Sequence, residues 1–83
     1  MDIAERLATI QVSIQAVENE KEQRQQTLAA FWEHLPPIDP ALVAAAMQRI
    51  RDRISVLEDR KRALLQEQED LIVGAVIRGR QGD

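Results

Sequence analysis

Apolar residues recur at alternating steps of four and three residues in both halves of this 83-residue chain, and all three prolines lie between the halves. This spacing is the a/d heptad of a helix that packs along one narrow row of contacts, here called the seam. It predicts an all-α fold in which two long helices face each other. In the first half the row comprises Ile3, Leu7, Ile10, Ile14, Val17, Leu28, Phe31 and Leu35. In the second half it comprises Val43, Met47, Ile50, Ile54, Leu57, Leu64, Leu71 and Ala75.

The proline cluster predicts a sharp turn. Pro36 and Pro37 prevent the first helix from continuing, because the residue before a proline is forced out of helical geometry. Asp39 is a favourable N-cap and Pro40 a favourable first helical residue. A connection this short makes the two helices antiparallel neighbours.

The predicted architecture is therefore one antiparallel two-helix coiled-coil hairpin. Its parts are helix 1 over about 2–34, a proline-rich turn over 35–39, helix 2 over about 40–78 and a short tail over 79–83, with Gly79 as the helix cap. A lone hairpin has only one seam to bury. We therefore expect it to dimerise into a four-helix bundle.

Three cations interrupt the seam. Folding at the prolines places Lys21 opposite Leu57 and Lys61 opposite Val17; the third cation, Arg24, falls opposite Ile54. Each side chain can lie along its aliphatic partner and extend its charge to solvent, near an acid. The nearby acids are Glu18, Glu20 and Glu58. The middle of the seam is predicted to be weak and to fix the register.

Composition narrows the function. The chain has no cysteine, so disulfides and thiolate metal sites are impossible. Its N-terminal segment does not resemble a signal peptide, and no apolar run is long enough to span a bilayer. We therefore expect a cytoplasmic location and no membrane contact. The net charge of −3 provides no global attraction to nucleic acid.

His34 is the chain's only histidine, and it lies beside the turn. Glu33 and Asp39 could join it as metal ligands, but the N-cap role explains Asp39 better. No nucleophile or paired carboxylate is placed to complete a catalytic group. The sequence therefore predicts no catalytic residues, no metal, no cofactor and no enzymatic activity.

Cations cluster in the Arg49–Arg62 segment. Arg49, Arg53 and Arg60 could contact phosphates, which makes a nucleic-acid-binding helical-hairpin dimer the alternative function. Acids are interleaved with them and no aromatic residue is available for stacking, so a solvated, salt-bridged face is the preferred interpretation.

The segment LIVGAVIRGR has more apolar residues than one seam can cover. An exposed apolar patch of this kind usually contacts a partner. The predicted function is thus a small adaptor, regulator or inhibitor that binds through a helical face, with a second copy and another protein as partners. The predicted partner or dimer interface comprises Leu65, Ile72, Val73, Val76, Ile77 and Trp32.

Two families resemble this predicted shape. Helical-hairpin RNA-binding regulators of plasmid copy number are similar in architecture, which implies dimerisation into a four-helix bundle, and no sequence motif is shared. Pro37 and Pro40 have the Pro-x-x-Pro spacing that resembles the turn of type III secretion needle subunits, and this likeness implies a self-assembling subunit. Pro36 and Ile38 depart from the needle pattern, so no functional residue is transferred from either family.

Overall fold

The chain forms an all-α helical hairpin, as the heptad pattern predicts. The structure is a computed structural model that describes residues 2–81, with the side chains of 2–79. Helix α1 spans Ile3–Glu33 and helix α2 spans Pro40–Gln81; they pack antiparallel in a rod of 68 × 18 × 16 Å. Neither helix, within these residues, contains a stretch long and apolar enough to cross a membrane.

Aspartate side chains cap the start of both helices. The Asp2 carboxylate accepts a hydrogen bond from the backbone N–H of Glu5 at 2.7 Å. The Asp39 carboxylate accepts one from the backbone N–H of Ala41 at 2.9 Å. Both contacts satisfy amides that have no partner inside the helix, so the two predicted helix starts are confirmed.

The core coincides with the predicted seam. All the apolar side chains that are buried in the described residues belong to it, and Leu57 is the most enclosed at 2% exposure. The buried set comprises Ile10, Ile14, Val17, Val43, Met47 and Leu57. The core is therefore aliphatic and one residue wide, which leaves the outer faces of both helices in contact with solvent.

Contacts between the helices agree with the predicted register. The register that places Lys61 opposite Val17 also places Gln68 opposite Ile10, and Gln68 donates a side-chain hydrogen bond to the adjacent Gln11 at 3.4 Å. On the other side of the seam, Arg53 of α2 pairs with Glu20 of α1. The hairpin thus has polar contacts along both edges of one apolar seam.

The observed end of α1 lies one residue before the predicted one, and the observed end of α2 lies three residues beyond it. Helix α1 ends at Glu33 because His34 has a non-helical backbone, with φ −137° and ψ 80°. Leu35 consequently leaves the seam and is 65% exposed. Helix α2 continues past Arg78, and Gly79 lies within it instead of capping it; none of the glycines in the described residues has the positive φ that such a cap requires.

Candidate interaction surfaces

The last turns of α2 carry the predicted apolar patch. Five aliphatic side chains there are between 42% and 52% exposed. They are Leu65, Ile72, Val73, Val76 and Ile77, here called the C-terminal patch. Neither helix of the hairpin covers them, because they lie outside the seam of α2.

The C-terminal patch has two parts. Leu65 and Ile72 are one heptad apart, and Val76 follows Ile72 by one helical turn, so these three form a stripe along one edge of α2. Val73 and Ile77 are each one residue further along, or about 100° further around the helix. Both point away from the seam; Val73 borders the stripe, because it lies three residues from Val76, whereas Ile77 lies further from it.

Trp32 lies on the same side of the hairpin as the stripe but near the other end. It is 66% exposed, although it is the chain's largest apolar side chain. It directly follows Phe31 of the seam, just as Ile72 directly follows Leu71. In an antiparallel hairpin these positions share one side, here called the Trp32 face.

The turn end of the hairpin exposes an apolar surface that sequence reasoning did not identify. Leu35, Ile38 and Leu42 are all more than half exposed. Leu35, Ile38 and several other apolar residues line a pocket of about 230 Å³; the others are Pro36, Pro40, Val43, Ala44 and Met47. In the sequence, Leu42 was the signal for this surface, because it is an apolar residue outside the heptad positions. The turn end therefore carries a second exposed apolar surface besides the C-terminal patch.

The residues of the turn do not converge on a metal site. Among the described residues, no group of three or more histidine or acidic side chains is close enough to hold a metal ion. Asp39 is engaged as a helix cap. His34 lines a second shallow apolar depression beside Phe31 and Pro36. The geometry thus favours contact with apolar groups at this end.

The predicted nucleic-acid contacts share one face of α2, on the side opposite the Trp32 face. Arg49, Arg53 and Arg60 follow at spacings of four and seven residues, which places them on one stripe. Arg53 is already engaged, because its Nε and Nη2 donate to the Glu20 carboxylate at 2.6 and 3.0 Å. The Arg53 hydrogen bonds lower the pKa of Glu20, and the same contacts raise the pKa of Arg53. A phosphate would have to compete with Glu20 for this arginine.

Ion pairs occupy the middle of the Trp32 face. Lys61 Nζ lies 2.7 Å from Glu18 Oε1, and Lys21 Nζ lies 3.9 Å from Glu58 Oε1. Glu18 Oε1 is nearly inaccessible to water, and its contact with Lys61 is close without the angles of a good hydrogen bond. This charged contact with Lys61, reinforced by Lys21, holds the pKa of Glu18 below its ordinary value. The seam cations thus reach acids at the edge, as predicted.

No protein-family model, curated protein or solved structure matches this chain. The exposed surfaces of the hairpin, and the charges along its edges, are therefore the basis for inferring a function.

Proposed function

We propose that this chain is a non-enzymatic protein–protein interaction module, a small adaptor, regulator or inhibitor that docks the end of α2 on another protein. The observation that carries the proposal is the C-terminal patch, in which five aliphatic side chains within thirteen residues are about half exposed. Contiguous apolar surface of this kind is a common mark of protein-binding sites. Residues 71–77 carry no charge, which suits a desolvated interface, whereas Glu67, Glu69 and Asp70 lie between Leu65 and Ile72.

We further propose that two hairpins associate into a four-helix bundle. The chain exposes 6242 Å², whereas a compact monomer of 9.4 kDa exposes about 5,000 Å². The difference of about 1,200 Å² per chain exceeds the ~800 Å² per partner that a standard stable interface buries. A second copy could cover this surplus, and one patch then serves both subunits of a two-fold dimer.

The two parts of the C-terminal patch can contact different partners, one a second hairpin and the other a different protein. The stripe of Leu65, Ile72 and Val76 lies on the Trp32 face, where a second hairpin can pack. Ile77 points elsewhere and Val73 lies at the outer edge of the stripe, so both keep exposed surface in such a dimer. We assign these two residues to the contact with the other protein.

A capture experiment with matched baits tests this function. The wild-type chain and Val56→Glu, which alters a similarly exposed aliphatic residue away from the patch, should both retain the same protein from a host extract. Ile77→Glu should lose it, because a carboxylate in an apolar interface is costly. Equal capture by all three baits would contradict the proposal, provided that circular dichroism shows all three to be equally helical.

Nucleic-acid binding is the second candidate, supported by the shared face of Arg49, Arg53 and Arg60. It requires an affinity that falls steeply as salt increases, because phosphate contacts release counterions. Replacing Arg49 and Arg60 with glutamine should then weaken binding and reduce this salt dependence. Binding that is insensitive to salt would exclude this function.

A self-assembling subunit, as the needle-like turn implies, is the remaining alternative. It predicts large assemblies that grow with protein concentration. Sedimentation velocity distinguishes it from the proposed dimer, which should reach a limiting size of two chains.

A further inference from the structure

The Trp32 face has an arrangement that is self-complementary. Its two ends are apolar, with Trp32 near the turn and Ile72 near the termini. Small side chains surround each of them: Ala29 and Ala44 lie near Trp32, and Ala4 and Ala8 lie near Ile72. The middle is charged and holds the ion pairs of Glu18 and Glu58. An apolar–charged–apolar pattern can match itself when one copy is reversed.

The spacing of the pattern locates the two-fold axis. Trp32 adjoins the seam layer of Phe31, and Ile72 adjoins the layer that contains Leu7. These layers are 24 residues apart in α1, or about 36 Å at 1.5 Å per residue. Their midpoint lies next to Glu18, at the centre of the charged zone. A perpendicular axis there superimposes each end of one hairpin on the opposite end of the other.

We infer that two copies pair through their Trp32 faces in antiparallel orientation, with Trp32 of each copy packed against the stripe around Ile72 of the other. This arrangement rests on the proposal that the hairpin dimerises. Each end of the bundle then contains one tryptophan, one isoleucine and small residues. A parallel pair would place two tryptophans at one end and two isoleucines at the other, which packs unevenly.

Two charged side chains add a second argument for the antiparallel orientation. Arg51 and Glu69 flank the Trp32 face, and neither forms an ion pair within the described residues. By register, Arg51 is level with Thr27 and Glu69 with Thr9, about 12 Å and 15 Å from the proposed axis on opposite sides. Antiparallel pairing therefore brings Arg51 of one copy alongside Glu69 of the other, twice per dimer. A parallel pair gives neither residue an opposite charge.

Charge reversal tests the orientation directly. In sedimentation equilibrium, Arg51→Glu should weaken dimerisation by roughly tenfold or more, because it places like charges together at two sites. Adding Glu69→Arg to the same chain should restore most of the affinity. Arg49→Glu makes the same change of charge away from the Trp32 face and should have little effect.

The outcomes of the charge-reversal experiment decide whether the dimer is antiparallel and whether it exists. Rescue by the double variant supports the antiparallel dimer. A dimer that Arg51→Glu weakens without rescue, or leaves unchanged, overturns it. A wild-type chain that stays monomeric at high concentration overturns both the dimer and its orientation. Neither failure alters the capture experiment at Ile77, which tests the proposed function separately.

The single tryptophan provides an independent readout. Trp32 is exposed in the isolated hairpin and enclosed in the antiparallel dimer, so its fluorescence emission should move to shorter wavelength as concentration rises. Ile72→Ala should reduce that shift and weaken dimerisation. Ile72→Glu should abolish the shift and the dimer, whereas Val56→Ala should change neither.

Trp32→Ala should weaken dimerisation about 30-fold, as expected for a buried anchor. Val12→Ala, on the outer face of α1, is the control. Emission that does not change on dimerisation would refute the packing of Trp32.

Discussion

Gly74→Ala is expected to stabilise the hairpin. Gly74 lies inside α2, and no glycine in the described residues has a positive φ, so its backbone suits any residue. A Cβ atom added there meets nothing within 4 Å. The change therefore removes the flexibility of glycine from the unfolded chain and introduces no clash.

The magnitude follows from helix propensity. Glycine is less favourable than alanine in a helix interior by about 0.8–1.0 kcal/mol. In a domain of this size such a gain should raise the melting temperature by roughly 4–8 °C. Urea and thermal unfolding, followed by far-UV circular dichroism, would measure it. Both chains must be compared at one protein concentration, because the proposed dimerisation would also stabilise the fold.

Gly79→Ala is the matched comparison. Its added Cβ is equally unobstructed, but Gly79 lies two residues from the end of α2, where helices fray. We expect a smaller gain there. No gain at Gly74 would mean that the last turns of α2 are not stably helical in solution. A loss of stability would mean that another chain lies close to Gly74, which the proposed dimer does not predict.

Four further changes test the seam and the turn. Lys61→Leu combined with Glu18→Gln should raise the melting temperature, since the leucine side chain adds about 1 kcal/mol of aliphatic burial; Lys61→Leu alone should gain less, because it leaves the Glu18 carboxylate without its cation. The pKa values of Glu18 and Glu20 lie below the ordinary 4.5, so their contribution to stability is present above pH 4.5 and is lost as the pH falls through the lowered values. Melting curves across this range should therefore show a smaller acid loss in the Glu18→Gln, Glu20→Gln double variant. Asp39→Ala should lower the free energy of unfolding in urea by about 1 kcal/mol because it removes a helix cap. His34→Ala should leave helicity and partner capture nearly unchanged, and loss of capture with intact helicity would assign a binding role to this side chain.

The seam was predictable from the sequence because burial in a two-helix hairpin follows the heptad almost directly. Ile14 and Leu57 are enclosed simply because their period places them between the helices. The caps at Asp2 and Asp39 were predictable for a similar reason, since a short acceptor side chain before a helical pattern has few other uses. These features depend on local chemistry and on periodicity alone.

The features that sequence reasoning missed depend on competition between local preferences. Leu35 continues the heptad, but Pro36 disfavours helical geometry in the residue before it, so the chain leaves the helix first. Glycine is a common helix cap, but it can also remain helical at a cost of about 1 kcal/mol relative to alanine, as Gly79 does. At Leu35 the period is correct and the neighbouring proline decides the outcome.

The single proline turn also determines the order in which the hairpin can fold. Phe31 and Met47, next to the turn, are 16 residues apart, whereas Leu7 and Leu71 are 64 apart. Closing the longer loop directly costs about 1.2 kcal/mol more entropy, at 0.6 kcal/mol per doubling of length. Folding should therefore start beside the prolines, and contacts between the helices should then form in order toward the termini. Ile72 and its neighbours would close last and open first, so amide hydrogen exchange should be fastest at the end of the rod that carries the C-terminal patch.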